Sequence, residues 1–386
     1  MKSKQLLLAL LTIVIMQSCG PVLHVTRVTN HQTPTSTDGF YYALPRNFVR
    51  IDVVVNRTEQ IKGPYAEFAE KYLGLSNVIK SNSTSYEISD IKLSTFDEPD
   101  PQQFYFVELQ KNVLNKTNEF KLALTEAGLM VGTNGKIGES LAENVPVGSQ
   151  VDETVYPDIF KYYGELNLFE KVDTLIEKVK HDSVTVEKMT FKRSMVEKTP
   201  EQKAKNAADF IIKVKENRFN LISGFQEVNY DKETFKYMND ELEKMENEYR
   251  KLFTGISFTK KITYSFYYLP KQEKPRDSMG LFRFSKLKGV LDTTSGFGDL
   301  ISLKIQKLAN TDSLKAYVDK KASIKSESHG LFYRIADYAN ITIMSANAET
   351  VHAKFLIPQY GVVTSMPAIL TKTEFYKASG GIKTVE

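Results

Sequence analysis

The sequence predicts an α+β fold, mainly β: two antiparallel, sandwich-like β units with a long antiparallel helical hairpin inserted between them. Three observations carry this. Apolar and polar residues alternate in segments near both ends of the chain, and two long segments between them instead repeat their apolar residues every three or four positions. In addition, 20 Tyr and 23 Phe, with no Trp, supply the aromatic side chains that suit pleated surfaces.

The chain opens with Met1-Lys2-Ser3-Lys4, an apolar run from Leu6 to Met16, and Gln17-Ser18-Cys19-Gly20. A basic start, an apolar stretch of about a dozen residues and small residues at the cut describe a secretory signal over 1–18. The run is shorter than the roughly 20 apolar residues that a spanning helix requires. Cys19 is the only cysteine of the 386 residues, and its place directly after Ser18 resembles the lipobox of bacterial lipoproteins. Cys19 is therefore the expected lipid attachment point, and no second thiol remains for a disulfide, a zinc-thiolate site or thiol catalysis. Residues 19–38 follow as a tether rich in Thr, Pro, His and Asn.

A β-rich N-terminal domain is expected over 39–198. "FVRIDVVVN" (48–56) and "SYEISDIKLSTF" (85–96) read as strands, and "GPYAEFAEKYLGL" between them as a short helix at 64–73, opened by Pro64 and closed by Gly74. "FKLALTEAGLMVG" (120–132) reads as two strands turning at Glu126 to Gly128, and 172–197 as a long hairpin turning near His181-Asp182. "FDEPDP" (96–101) reads as an acidic loop in which two prolines enforce a turn.

The helical hairpin is expected over 199–255. Thr199, Pro200 and Gln202 form a capping-box start, and Gly224 closes the first helix; Asp231 and Gly255 bound the second. Ala204, Ala207, Ile211, Val214 and Leu221 make one seam, and Phe235, Met238, Leu242, Met245, Tyr249 and Leu252 the other. Lys203, Lys205, Lys213, Lys215 and Arg218 outnumber acids on the first helix, while Glu233, Asp240, Glu241, Glu243, Glu246 and Glu248 dominate the second, so the pair complements in charge. From 256 to 386 the period of two returns, with Ile262, Tyr264, Phe266 and Tyr268 on one face and Ile301, Leu303 and Ile305 on another, giving a C-terminal β domain.

The formal charge of +4 gives no electrostatic case for nucleic acid. The five histidines show no ligand spacing, and His352 falls on the polar side of its strand, so neither a metal nor a cofactor is expected. "SGFGD" (295–299) lacks the spacing of a phosphate cradle or a nucleophile elbow and reads as a hairpin loop. Two constellations keep a chemical alternative open. Asp97, Glu98 and Asp100 would suit a carboxylate-pair hydrolase, and Tyr264 and Tyr268 would offer aromatic faces to glycan or peptidoglycan. The hairpin tip, with Phe225, Gln226, Val228 and Tyr230, is the candidate contact for a protein partner.

"YYALP" (41–45), "GPYAEFAEKYLGL" (63–75), "YEISDIKLSTFDEPDP" (86–101), "LTEAGL" (124–129) and "EQKAKNAADFIIKVKENRFNLISGFQEVNY" (201–230) together resemble lipoproteins of the Bacteroidota domain-of-unknown-function family 4831. That resemblance brings no catalytic residue with it. It implies an envelope of Bacteroidota type, in which Asp-Ser/Thr-apolar triplets signal O-glycosylation; Thr174, Ser183, Ser278, Thr293 and Ser313 stand in such triplets. Gly20-Pro21-Val22-Leu23 resembles neither the acidic surface-export tag nor an aspartate retention signal, which implies a lipid-anchored, periplasm-facing outer-membrane protein. The function expected is a non-catalytic envelope lipoprotein that acts as a structural or assembly partner of envelope proteins.

Overall fold

The computed structural model describes residues 23–29, 38–109, 121–133, 159–163, 168–181, 184–225, 230–324, 330–346, 348–367 and 372–385. Fifteen strands and four helices lie in them, every strand pair of the sheets being antiparallel where its register is defined. The chain divides into two compact units: 1–55, 88–150 and 263–386 form the first, and 56–87 with 151–262 the second. Strands β2 (Gly39–Ile61), β3 (Ser83–Leu109) and β8 (Ile256–Tyr268) contribute residues to both.

In the first unit, β9 (Arg276–Ser285), β10 (Gly289–Leu291), β11 (Asp299–Lys307), β12 (Gly330–Ser345) and β13 (Ala348–Pro367) form a five-stranded sheet of order β10-β9-β11-β12-β13. The alternation read from the sequence is its cause: Ile301, Leu303 and Ile305 are all buried on one face of β11. Likewise Val49, Ile51, Val53 and Val55 of β2 are fully buried at every second position. β2 and β3 join β1 (Leu23–Arg27) and β8 in the order β1-β3-β2-β8. A third sheet, β15-β14-β5-β4, pairs β14 (Thr373–Phe375) and β15 (Ile382–Val385) with β4 (Leu122–Leu124) and β5 (Met130–Thr133). Residues from far apart in the sequence thus fill one core, where Tyr42, Leu44, Tyr105, Met130, Leu331 and Phe375 pack together.

The acidic segment 96–101 departs from its reading as a turn: it lies inside β3. Pro99 and Pro101 stand two positions apart in extended backbone, and the paired register of β3 with β1, Tyr105 to Leu109, begins beyond both. A second difference is α4 (Asp312–Ile324), a helix in what reads as an all-β region. Thr311 precedes it with its hydroxyl turned to Asp337, so the cap pattern is hidden in a tertiary contact.

In the second unit, a 3₁₀ turn at Ala66–Phe68 leads into α1 (Ala69–Leu73), which ends at Gly74 in the left-handed conformation. The hairpin of α2 (Pro200–Ser223) and α3 (Lys232–Thr254) stands as its caps predict. Thr199 Oγ1 accepts from Gln202 N at 3.3 Å while Thr199 N donates to Gln202 Oε1 at 2.9 Å, and Asp231 Oδ1 accepts from Glu233 N and Thr234 N at 3.0 Å. Arg218 Nη2 reaches Glu243 Oε2 at 2.8 Å, joining the two helices through the expected charges. The α2 seam is buried from Ala204 to Leu221, but of the α3 seam only Tyr249 and Leu252 are buried; Phe235, Met238, Leu242 and Met245 are half-buried. The reason is local: Tyr65 and Ala69 pack with the start of α2 and the end of α3, and among the described residues no comparable layer lies farther along α3.

Candidate docking surface

The hairpin expected over 172–197 is a two-stranded ribbon, β6 (Leu168–His181) and β7 (Val184–Glu197), paired in continuous register and joined to no other strand among the described residues. Directly opposed residues share a face, and the register pairs Glu170 with Met195, Val172 with Arg193, Thr174 with Phe191 and Ile176 with Met189. Leu168, Val172, Ile176, Met189, Phe191 and Met195 therefore project from a single face. Each is 49–64% exposed. The opposite face carries Lys171, Asp173, Glu177, Lys188 and Lys192, all exposed, together with Leu175, which is exposed as well, and Phe169 and Val196, which are half-buried.

An isolated two-stranded ribbon is marginal in water unless a hydrophobic face packs on something. Exposed apolar side chains gathered on one face commonly mark a contact, and here Glu170, Thr174 and Arg193 stand among them. Sequence reasoning found the hairpin but missed the stripe. Its signal was present, as Leu168, Val172 and Ile176 recur every four residues, but only the register with β7 brings Met189, Phe191 and Met195 onto the same side.

The helical hairpin offers a smaller surface. Phe225 at its tip is 79% exposed, and Phe219 and Ile222 near the end of α2 are exposed as well. Tyr230 is half-buried, while Gln226 and Val228 lie outside the described residues. Outside them too are Cys19 and Ser183. The other glycosylation candidates are all exposed: Thr174 on β6, Ser278 on β9, Thr293 after β10 and Ser313 in the first turn of α4.

Two of the three carboxylates considered for hydrolysis, Glu98 and Asp100, are held by arginines. Asp100 Oδ2 accepts from Arg334 Nη2 at 2.9 Å in a buried pair, and Glu98 Oε1 is bound by Arg46. Arg334 Nη1 donates to Pro45 O at 2.6 Å, which leaves Asp100 enclosed rather than facing a cleft. Tyr268, one of the two tyrosines considered for glycan stacking, is buried, its hydroxyl donating to Asp277 Oδ2 at 2.6 Å. That hydrogen bond, first, holds the Asp277 carboxyl below its usual range, and burial pushes the Tyr268 hydroxyl up. His352 is exposed beside Glu349, 2.8 Å away, as its polar-side position predicts.

A cleft of 660 Å³ opens beside Asp277, lined also by Lys274, Arg276, Lys307, Asp312 and Tyr360. Its charges largely satisfy one another: Lys307 Nζ lies 2.5 Å from Asp312 and 3.6 Å from Asp337. Asp337 is fully buried, which alone raises its carboxyl; hydrogen bonds from Thr311 N and Oγ1, Tyr338 N and Asn310 N outweigh that and leave it below its usual range. The group ties the start of α4 to β12. Among the described residues no cluster of His, Cys, Asp or Glu suits a metal ion, and no helix is long and apolar enough to cross a membrane.

Residues 38–157 and 166–383 match the family described as "Domain of unknown function (DUF4831)". The chain belongs to this family. It matches no curated protein and no solved structure. The family match spans both units, ribbon and helical hairpin included, so these belong to the architecture that defines the family.

Proposed function

We propose that this DUF4831 chain is a non-catalytic envelope lipoprotein, tethered through Cys19, that works by holding another envelope component against the apolar face of the β6–β7 ribbon. One observation carries the reading: six large apolar side chains share one exposed face of a ribbon that, among the described residues, no other strand joins. The arginine-bound carboxylates and the buried Tyr268 favour contact over catalysis or sugar stacking. The lipobox-like start and the absence of a bulk charge excess support a position at a membrane with a protein rather than a nucleic acid as partner.

A photocrosslinking residue in place of Phe191, with a control in place of Lys192, tests this in intact membranes. The expected result is a discrete adduct from the Phe191 position and none from Lys192. Equal yields, or no adduct from either, overturn the reading.

A further inference from the structure

The five-stranded sheet buries one face through Ile301, Leu303 and Ile305 and turns the other outward. Directly opposed residues share a face. The register therefore sets Arg276, Gln306, Asn340 and Lys354 in one row across β9, β11, β12 and β13. Ser278, Lys304, Thr342 and His352 form the next row. Gln306 and Thr342 are half-buried, and the other six are exposed. We infer that this face binds an acidic polysaccharide. The inference does not depend on the β6–β7 ribbon and uses neither Tyr264 nor Tyr268.

Charge is the first argument. Arg276, Lys304 and Lys354 have no carboxylate partner among the described residues, Lys354 contacting only the ring of Tyr338. Neither row contains an acid. Glu349, farther along the same face opposite Met344, lies 2.8 Å from His352. Asp277, next to Arg276 in the chain, stands opposite Ile305 on the other side of the sheet and accepts from Tyr268. Three cations left unmatched on one flat face make a patch of positive potential that a ligand must neutralise.

Spacing and chemistry name the ligand. With strands about 4.8 Å apart and about 3.4 Å per residue, Lys304 stands about 8 Å from Arg276 and about 12 Å from Lys354, backbone to backbone. Duplex DNA carries a charge about every 1.7 Å along its axis, and cations this sparse would leave most of its phosphates unmet. A lipid surface is met by apolar side chains beside the cations. Between these cations stand Ser278, Gln306, Asn340 and Thr342 instead, whose amides and hydroxyls both donate and accept, as sugar hydroxyls do. Tyr338, 42% exposed two residues from Asn340 on the same face, offers a ring to the apolar side of a sugar, and the Lys354 ammonium lies 4.5 Å from its centre. A polysaccharide with acidic groups on alternate sugars meets the cations, the polar rows and the ring together.

The full chain carrying Cys19→Ala, which removes the expected lipid, allows a test with hyaluronate oligosaccharides, in which glucuronate alternates with an uncharged sugar. Isothermal titration is expected to show binding that weakens as salt is raised, with none of neutral dextran. Lys304→Glu/Lys354→Glu, at two exposed positions, is expected to weaken binding about tenfold or more, and Tyr338→Ala to weaken it several-fold, with circular dichroism confirming that both variants fold. Phe191→Glu, on the ribbon, is expected to bind as the parent does, which separates this site from the docking face. No binding at about 1 mM, equal affinity of the parent and the double variant, or equal binding of dextran overturns the proposal. So does loss of binding in Phe191→Glu, or tighter binding of a duplex oligonucleotide or of phosphatidylglycerol vesicles than of hyaluronate.

Discussion

Arg334 and Asp100 meet 2.9 Å apart where both side chains are nearly inaccessible, and Arg334 also satisfies the carbonyl of Pro45. Removing one member leaves the other charge buried and unpaired, a loss of about 3–5 kcal/mol. Asp100→Asn is expected to lower stability by that order in urea unfolding, with Glu98→Gln, whose arginine pair is partly exposed, costing under about 1 kcal/mol. Two nearby tyrosines give the fold a pH limit. Burial raises the hydroxyl of Tyr105 to about 12 and that of Tyr42, which both accepts from Phe332 N and donates to Phe332 O, higher still. The unfolded chain releases these protons from about pH 10, while the folded chain keeps them. Their contribution is therefore complete below pH 10 and is lost as pH rises through 10 to 12. Urea midpoints at pH 9 and pH 11 are expected to fall in that order, and equal midpoints would contradict the burial of these hydroxyls.

At the scale of elements, the bulge between β12 and β13 shows how register depends on a single backbone approach. The ladder slips between Ile335 and Asp337, which turns Asp337 toward the start of α4, and Gly361 lies across from the slip. A Cβ on Gly361 would stand 2.0 Å from Ile335 O, and that backbone oxygen has no room to move within the ladder. Gly361→Ala is expected to cost well over 2 kcal/mol and to lower the thermal midpoint by several degrees. The elements also show where sequence patterns suffice. The Thr199–Gln202 capping box and the Asp231 cap form as read, because a cap involves four neighbouring residues. Strand β3 through Pro99 and Pro101 was not legible, because whether proline is tolerated depends on which edge a neighbour leaves open. Helix α4 was obscured in the same way, with Thr311 spent on Asp337. The candidate site was half legible: the hairpin could be read, its apolar face could not, since that face exists only in the pairing of β6 with β7.

For the molecule as a whole, the proposed address rests on Cys19 and the proposed partner contact on the β6–β7 arm. Cys19→Ala is expected to move the protein from the membrane pellet to the soluble fraction after gentle lysis; full retention in the pellet would remove the lipid anchor from the proposal. The sequence by itself determined the β-rich class, the helical hairpin and its caps, the two strands of the ribbon and the family, because each rests on local periodicity or a run of neighbouring residues. Only the tertiary structure decided that β14 and β15 complete a sheet with β4 and β5, that the acidic trio lies in a strand with Glu98 and Asp100 each on an arginine, and that the ribbon's apolar residues are exposed. Those are relations between residues distant in the chain, set by which surfaces are buried against each other, and burial is not a property that any one segment carries alone.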